Sequence, residues 1–397
     1  MKSVVVVSAV RTAIGKLGGT LRDVSPERLA EETIRSAISE AKIDSSLIDE
    51  VIIGQTKQSS DAPNIARIAA LAAGIPETVP AYTVHRQCAS GMQSIVNAVM
   101  EIQTGNSEVV VAGGTESMST APYYLRKARF GYKSGPGEIL DPNTESQPKS
   151  QPEEIYGSFN MGITAENLAE KYHIPREEQD EFSRISQLKA IEAIDKGHFK
   201  NEITPITIKQ RKKEILFDTD EFPRRDVTSE KLAKLKPVFK GDGTVTAGSS
   251  TGRNDGAAAL ILMSEEKAQE LDLKPLGRFI SFGVAGVDPR YMGIGPAPAS
   301  IKALKKAGLN LNDIDLIELN EAFAAQSIAV IKELGMNPDI VNVNGGAIAL
   351  GHPLGCTGSR IVVTLLHEMK RRNSRYGLAT LCVAGGLGVS TIYENLS

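Results

Sequence analysis

The sequence predicts an α/β protein built in layers from two similar halves, with a segment of loops and helices inserted into it. Three observations carry that reading. Strand and helix signals alternate from the start of the chain to about Ser117. The same alternation resumes from about Gly277. Short motifs of the first stretch recur in the second, in the same order and at a constant spacing.

Residues 4–7 are an apolar strand, and residues 26–41 are a helix with Leu29, Ala30, Ile34 and Ile38 on one face. Residues 51–53 form a short buried strand ending at Gly54, and residues 66–73 a helix stopped by Gly74 and Pro76. A strand-like run then ends at Thr83-Val84. A helix follows with Met92, Ile95, Val96, Val99 and Ile102 on one face, and Gly105 is placed to stop it. Residues 109–111 are the next strand, running into Ala112-Gly113-Gly114. Such alternation implies a largely parallel sheet.

From about Ser117 to about Ser249 the texture changes. Gly131 to Gly137 and Pro148 to Pro152 are loop chemistry, and helices are expected over residues 164–171 and 176–196. The run Lys209-Gln210-Arg211-Lys212-Lys213 is basic, and Arg224-Arg225 follows closely. These charges read either as a solvated face or as a site for the phosphates of an anionic ligand. No further sheet is expected here.

In the last third, residues 298–307 read as a helix, 316–319 as a strand and 321–334 as a helix. A strand over 340–343 precedes a glycine-rich turn and a helix over 359–370, and the strand 380–383 runs into Ala384-Gly385-Gly386. Val111-Ala112-Gly113-Gly114 thus recurs as Val383-Ala384-Gly385-Gly386, an offset of 272 from 384 − 112. Pro26 and Pro298 open helices at the same offset, 298 − 26 = 272. The domain division predicted is 1–117 for the first half, completed by 250–270, then 118–249 for the insertion and 271–397 for the second half.

Composition narrows the function classes. The chain has 397 residues, 41% hydrophobic and 23% charged, with a net charge of −3. That balance gives no electrostatic reason to expect nucleic acid or an anionic membrane as partner. No apolar run approaches the ~20 residues of a membrane span. Ser8 and Arg11 interrupt the first apolar run too early for a signal-peptide core. Cys88, Cys356 and Cys382 are an odd and sparse set, which disfavours a disulfide framework and fits a reducing cytoplasm. Neither a GxxxxGK[ST] nor a GxGxxG phosphate motif is present, and the His and Cys spacings do not fit a zinc site.

Four places carry chemistry. Cys88 lies in Val84-His85-Arg86-Gln87-Cys88-Ala89-Ser90-Gly91-Met92, where a strand turns into a helix. Unpaired N–H groups and the positive end of the helix dipole favour a thiolate there, although a buried structural thiol fits the same position. Asn320, in Leu319-Asn320-Glu321-Ala322-Phe323, sits between a strand and a helix, where its ordinary role is an N-cap. His352 lies in the glycine-rich turn Asn344-Gly345-Gly346 to Thr357-Gly358, held extended by Pro353 and ringed by small residues. Cys382 ends a strand just before Ala384-Gly385-Gly386. If the halves are related by a pseudo-twofold axis, these turns converge on one cleft. Cys88 and His352 then make a nucleophile–base pair, with Cys382 a second thiol able to move a proton.

Across essentially its whole length the chain resembles the thiolases, most closely those that act as acetyl-CoA acetyltransferases. The motifs are Ser8-Ala9-Val10-Arg11-Thr12, the Cys88 turn, Met161-Gly162-Ile163-Thr164-Ala165-Glu166-Asn167, Asn254-Asp255-Gly256-Ala257-Ala258, Asn320-Glu321-Ala322-Phe323, and the turns around His352 and Cys382. The resemblance implies two αβαβα halves with an inserted loop domain, in a homo-oligomer that is a dimer or tetramer. It implies a ping-pong Claisen condensation of two acetyl-CoA to acetoacetyl-CoA and CoA, and the reverse thiolysis, with no tightly bound cofactor. Cys88 would be the acylated nucleophile and His352 its base. Asn320 would hold a water in one oxyanion hole, and the N–H groups of Cys88 and Ala384 would form the other. Cys382 would remove the α-proton of the attacking acetyl-CoA. Met161, Met292 and Phe323 would line the acyl pocket, and Thr251 would lie near the pantetheine arm. Separately, the basic residues Lys209, Arg211, Lys212, Arg224 and Arg225 of the insertion are candidates for contacting the phosphates of CoA, Arg224 and Arg225 the better ones.

The sequence departs from the family pattern at Ala89 and Ala384, where Gly is usual, and a methyl beside each donor would narrow the cleft. Asn160 stands where short-chain biosynthetic members carry His, and Cys356 stands where a small residue is usual. Alternatives are a broader-chain 3-ketoacyl-CoA thiolase of fatty-acid degradation and, in another class, a non-catalytic acyl-CoA-binding protein. A papain-like protease would use Cys88, His352 and Asn320 but leaves Cys382 without a role. A ketoacyl synthase would carry His or Asn in place of Cys382.

Overall fold

The computed structural model describes residues 2–210 and 213–397. The first half runs β1 (Val4–Thr12), α1 (Pro26–Ala41), β2 (Glu50–Gly54), α2 (Ile65–Ala72), β3 (Ala81–Val84), α3 (Ser90–Thr104) and β4 (Val109–Ser117). After the insertion, whose main helices are α4 (Met161–Lys171) and α5 (Arg176–Asp195), β5 (Asn254–Ser264) completes it. The second half runs β6 (Gly277–Gly286), α6 (Pro296–Ala307), β7 (Leu316–Leu319), α7 (Ala324–Leu334), α8 (Leu354–Arg372), β8 (Tyr376–Val383) and β9 (Leu387–Asn395). Local chemistry sets several of these limits. Pro26 opens α1 at the position where its missing N–H matters least. Gly105 stops α3 in the left-handed conformation at φ 81°, which L side chains rarely adopt.

One mixed sheet crosses the molecule in the order β7-β8-β9-β6-β1-β5-β4-β2-β3. The halves meet where Val4, Val5 and Val6 pair antiparallel with Phe279, Arg278 and Gly277. Strand pairing repeats between them. In the first half β3, β2 and β4 are parallel while β5 and β1 are antiparallel. In the second, β7 and β8 are parallel and β9 and β6 antiparallel. The sheet is therefore mixed rather than largely parallel, because the last strand of each half returns against the one before it.

Side chains alternate along the strands and so sort into layers. Val4, Val6, Ile52, Val110, Ala112, Leu260 and Leu262 face a central layer with Met92, Ile95 and Val99 of α3 and Ile361, Val362 and Leu365 of α8. Val5, Val51, Ile53, Val109, Val111 and Ile261 face outward against α1 and α2. On the other half, Ile317, Leu319, Leu378 and Ile392 pack outward against Ala303, Leu304 and Val330 of α6 and α7. The order is helix, sheet, helix, sheet, helix, the two sheet layers being the two halves of the one continuous sheet, as the resemblance implied.

Several elements differ from the sequence reading. Residues 340–343 form no strand; Pro338–Ile340 is a 3₁₀ turn, and Val341 makes only an isolated bridge to Ile317. Asn337-Pro338 shapes that turn, with the Asn337 side chain accepting from the Asp339 N–H. The helix after Asn320 starts three residues later than expected, at Ala324 rather than Glu321. The insertion is not free of strands. Ile206–Gln210 pairs with Lys213–Phe217 in a hairpin, and Tyr124–Leu125 with Ile139–Leu140. Of the basic run, Lys209 and Lys213 therefore lie on hairpin strands, while Arg211 and Lys212 lie outside the described residues.

A buried ionic cluster ties insertion to frame. Arg11 of β1 is fully buried, with Nε 2.6 Å from Glu202 and its two terminal nitrogens 2.8 and 2.9 Å from the Asp220 carboxylate. Burial opposes the Arg11 charge, but Asp220 and Glu202 more than offset it and push its pKa up. Glu202 also accepts from Thr364 of α8 at 3.0 Å, so one cluster joins both halves and the insertion. Removing only the cation leaves two buried carboxylates unpaired. Arg11→Met should therefore lower unfolding free energy by about 3–5 kcal/mol in chemical denaturation, and an exposed control such as Arg22→Met should change it by less than about 1.

Candidate active site

Cys88 lies in a tight turn between β3 and α3. The Ala89 N–H donates to the Arg86 carbonyl at 3.0 Å, and the Ser90 N–H and hydroxyl both donate to the Gln87 carbonyl, at 3.0 and 2.6 Å. The Ser90 hydroxyl accepts in turn from the Arg86 N–H at 2.9 Å. This closure forces Gln87 into the left-handed region at φ 45°, a strain of about 1–3 kcal/mol for a residue with a side chain. The effect is to hold Cys88 one residue ahead of the helix cap, half-buried at the cleft. Ala384, from the β8–β9 turn of the other half, lines the cleft with it.

Burial is the largest influence on that sulfur. It pushes the Cys88 thiol up to about 11, against the opposing pull of the Ala384 N–H, the Lys57 ammonium and its own N–H. The expectation of a standing thiolate is thereby corrected. The N–H groups moderate the desolvation but do not overcome it, so at neutral pH the free thiol keeps its proton and a base is needed.

His352 supplies a base in the required form. Its Nδ1 is 2.6 Å from the Thr357 hydroxyl, which itself donates to the Pro353 carbonyl at 2.9 Å. Nδ1 must then be the donor, which leaves Nε2 with its lone pair free. Nε2 is buried and has no hydrogen-bond partner among the described residues. Burial, reinforced by the Arg360 guanidinium, pushes the imidazole down to about 3. The backbone is fixed equally firmly: the His352 N–H donates to Asn254 Oδ1 at 3.0 Å, and Gly351, at φ 103°, lies where a Cβ would fall 2.4 Å from the Asn254 amide carbon.

Cys382 stands near the end of β8, paired in register with Gly388 across a hairpin whose loop is Ala384-Gly385-Gly386. Gly385 and Gly386 have φ values of 89° and 83°, the conformations such a reversal needs. Burial and the nearby Cys88 both hold the Cys382 thiol well above an ordinary cysteine. Asn320 follows β7 and is completely buried. It is not the helix cap expected from sequence; Phe323 occupies that position. Both polar atoms of its side-chain amide lack partners among the described residues, an arrangement suited to holding a small polar group.

The turns of Cys88, His352 and Cys382 meet in one cleft of about 220 Å³, whereas Asn320 is buried and not among the residues that line it, although its neighbours Ala322 and Phe323 are. Cys88, His352, Cys382, Ala384, Met161, Thr251, Met292 and Phe323 all line it. Phe323 packs edge-on against Phe239, with ring centroids 5.9 Å apart. The Thr251 hydroxyl donates to the Ala347 carbonyl at 2.9 Å. Ala89 does not narrow the cleft, because its methyl is buried in the central core layer. Arg224 and Arg225 do not line the cleft. Arg224 borders a small neighbouring groove that shares Ser250 with it, whereas Arg225 is exposed and bidentate on Asp195, at 3.0 and 2.6 Å.

Residues that the sequence reading gave no role complete the surroundings. Glu116 accepts from the N–H groups of Thr56, Lys57 and Gly355 at 3.1, 3.0 and 2.9 Å, and from the Thr56 hydroxyl. It thereby caps the start of α8 beside His352 and links it to the end of β2. Its position at the end of a glycine-bearing strand was a usable signal. Lys57, Ser146 and Thr357 gave none, since their roles come from contacts between distant segments.

A twofold-repeated α/β frame with a thiol-lined cleft at its centre defines an acyl-transferring class of enzyme. Within that class the chain belongs to the thiolase family. The thiolase N-terminal domain matches residues 4–266 and the thiolase C-terminal domain residues 273–395. The chain is 50% identical to an acetyl-CoA acetyltransferase of Escherichia coli over 398 residues, and 49% identical to one of Syntrophomonas wolfei over 399, each covering 100% of both chains. Among solved structures, the acetyl-CoA acetyltransferase of Bacillus anthracis superposes with a TM-score of 0.97 at 53% identity, covering 100% of this chain and 99% of that one. Human mitochondrial 3-ketoacyl-CoA thiolase superposes at 0.96 with 44% identity and the same coverage.

The His352 environment gives a pH dependence of defined sign. An unfolded imidazole protonates near 6.5 and the folded one near 3, so the unfolded state binds more protons between those values. Stability from keeping His352 neutral is complete above 6.5 and is lost as pH falls toward 3. In histidine-labelled NMR spectra the His352 ring should remain neutral down to about pH 4, far below the ordinary range. A titration midpoint near 6.5 would contradict this assignment.

Proposed function

We propose that the protein is an acetyl-CoA C-acetyltransferase, joining two acetyl-CoA into acetoacetyl-CoA with release of CoA and catalysing the reverse thiolysis. The observation that carries the reading is the convergence of Cys88, His352, Cys382 and the Ala384 N–H on one cleft, in a chain about half identical to enzymes of that name.

In the first half-reaction Cys88 Sγ attacks the thioester carbonyl while His352 Nε2 takes its proton. The resulting imidazolium is disfavoured by burial and by Arg360, so it is a strong acid and returns the proton readily to the departing CoA thiolate. Asn320 holds a water that, with His352, stabilises one oxyanion; the Cys88 and Ala384 N–H groups stabilise the other. In the second half-reaction Cys382 removes the α-proton of the incoming acetyl-CoA. The acyl group must already be on Cys88 when the carbanion forms, because the acyl-Cys88 carbonyl is what that carbanion attacks. This orders the two steps and supports ping-pong kinetics.

Met161, Met292 and Phe323 line the acyl pocket and Thr251 lies along the pantetheine arm. Arg224, beside the adjoining groove, is the better candidate for the CoA phosphates, since Arg225 is already engaged by Asp195. CoA thioesters enter as substrates, and no tightly bound cofactor is invoked. Exposed Tyr123, Tyr124, Leu125, Phe130 and Ile139 on the insertion support a homo-oligomer, a tetramer in our reading. No described helix is long and apolar enough to cross a membrane. A cytoplasmic site and a place in fatty-acid metabolism complete the reading. Six of the cleft residues, Met118, Met161, Phe239, Met292, Phe323 and Leu354, are large and apolar, which favours longer acyl chains as a second reading. Rates across 3-ketoacyl-CoA chain lengths separate the two, with the C4 substrate expected to be fastest.

Cys88→Ala should abolish exchange of label between acetyl-CoA and CoA, and mass spectrometry should place an acetyl adduct on Cys88 of the parent. An adduct on Cys356 or Cys382 instead would sink the mechanism. Cys382→Ser should retain burst acetylation of Cys88 while condensation falls by ~10²–10⁴-fold, the scale for a positioned acid/base. His352→Ala should damage both half-reactions. Arg224→Ala should raise KM for CoA substrates more than it lowers kcat, as expected of a contact shared by ground and transition states.

A further inference from the structure

Asn320 carries an unpartnered amide on a firmly held backbone. Both polar atoms of its side chain lack partners among the described residues, so no side-chain hydrogen bond fixes where that amide lies. The chain on either side of it does. The Asn320 N–H donates to the Thr380 carbonyl of β8 at 3.0 Å. Its two neighbours, Leu319 and Glu321, are both held by one side chain, that of Asn342.

The Asn342 amide uses both of its ends. Oδ1 accepts from the Leu319 N–H at 2.8 Å. Nδ2 donates to the Leu319 carbonyl at 2.8 Å and to Glu321 Oε1 at 2.8 Å. These three bonds bracket Asn320, one residue before it and one after. The other oxygen of Glu321 is fixed in turn. It accepts from the Ser186 hydroxyl of α5 at 2.7 Å and from the Ile348 N–H at 3.2 Å. The Gly346 N–H donates to that same Ser186 oxygen at 3.1 Å, and a Cβ on Gly346 would fall 2.2 Å from the Glu321 carboxyl carbon. The bracket is thus anchored on the insertion and on the turn that leads to His352.

The clamp is held against two unfavourable features. Asn342 sits at φ 45°, a conformation that residues with side chains rarely adopt. Glu321 is a buried carboxylate whose hydrogen-bond donors are all neutral. Strain of this kind persists where the surrounding structure over-determines it, and it gathers at functional sites. Here what lies between the two strained residues' attachments is Asn320.

We propose that Asn342 and Glu321 are positioning residues for Asn320: together they fix the backbone on both sides of it and so set where its amide meets the oxyanion water. The proposal rests on the reading that Asn320 holds that water.

The test is a double-mutant cycle in steady-state condensation and thiolysis with the full chain. Asn342→Gly removes the bracket while leaving the backbone free to keep its positive φ. It should lower kcat by ~10–100-fold with KM changed by less than about twofold, the scale of a misplaced reacting group. Asn320→Ala should lower kcat by ~10²–10³-fold, as for the loss of an oxyanion group. In the Asn320→Ala background, Asn342→Gly should then cost less than about twofold, because the group it positions is gone. A purely structural role predicts the same loss in both backgrounds, and that additivity overturns the proposal, as does a parent kcat in Asn342→Gly. If Asn342→Gly does not fold, Glu321→Gln is read in the same cycle by the same criteria. Whichever way the new amide turns, its NH2 meets a donor, Asn342 Nδ2 on one side or the Ile348 N–H on the other. Failure of the underlying reading is distinguishable, because it shows in the single variant: a parent kcat in Asn320→Ala removes the role of the water, and the proposal falls with it.

Discussion

The first turns of the two central helices touch backbone to backbone, and the placement of every group in the cleft follows from that contact. A Cβ on Gly91 of α3 would lie 2.8 Å from the Gly355 carbonyl and 2.7 Å from the Ser359 hydroxyl of α8. A Cβ on Gly358 would lie 2.4 Å from the Met92 nitrogen, and one on Gly114 of β4 only 2.1 Å from the Gly355 carbonyl. Real Cβ atoms are not found so close, so no side chain could separate the helices here. Cys88 lies two residues before α3 begins and His352 two before α8 begins. Helices held this close at their N-terminal turns bring those two residues to one place, although they come from different halves of the chain.

The site that results is nearly neutral at rest. Burial keeps the proton on Cys88 and off His352, and the same burial holds Glu318 up to about 8 even with Arg360 beside it. Arg360 lies 3.5 Å from Glu318, with both side chains 1% exposed. Its positive charge reaches His352 and adds to the resistance against an imidazolium. A base that resists protonation takes up a proton late and gives it back early. For a thioester exchange that suits the task, because the nucleophile and leaving group are both thiols and the transferred proton need not be stored. The Ala384 and Cys88 N–H groups oppose the burial and so favour negative charge at the sulfur as it passes.

Much of this was legible from the sequence because turns announce themselves. Gly105 and Gly308 stop helices where expected, and the glycines around His352 and after Cys382 marked backbone packed against something. The 272-residue offset between Ala112 and Ala384 is matched by the repeated strand pairing. What failed were inferences that a local pattern cannot settle. Asn320 has the position and chemistry of a cap, but Glu321 bends away to accept from Ser186, Asn342 and the Ile348 N–H, delaying the helix and freeing the amide. A helix N-terminus favours a thiolate, yet desolvation is the larger effect at Cys88 and only the folded environment reveals it. Ala89 was read as a cleft residue because it adjoins Cys88, whereas the turn directs its methyl into the core. Lys57 offered no pattern at all. Its partners are 85 and 89 residues away, and a lysine after a strand is ordinarily solvated.

The asymmetry of the cleft traces to one connection in the repeat. Between β4 and β5 the first half carries the insertion, from after Ser117 to before Asn254. Between the equivalent strands β8 and β9 the second half has only Ala384-Gly385-Gly386. Both connections leave the same edge of the frame and end at the same cleft. The short one can be tight because two consecutive glycines accept positive φ, and it places Ala384 on the cleft with Cys88. The long one supplies Asn143, Ser146, Gln147, Ser150, Met161 and Phe239, the wall opposite the thiols. Gly385 meets that wall directly, since a Cβ there would lie 2.7 Å from the Ser150 carbonyl. The repeated frame therefore presents the reacting groups, and the single unequal connection encloses the space that a substrate must fill. Arg11, gripping Glu202 and Asp220 of the insertion from within β1, keeps the two in register.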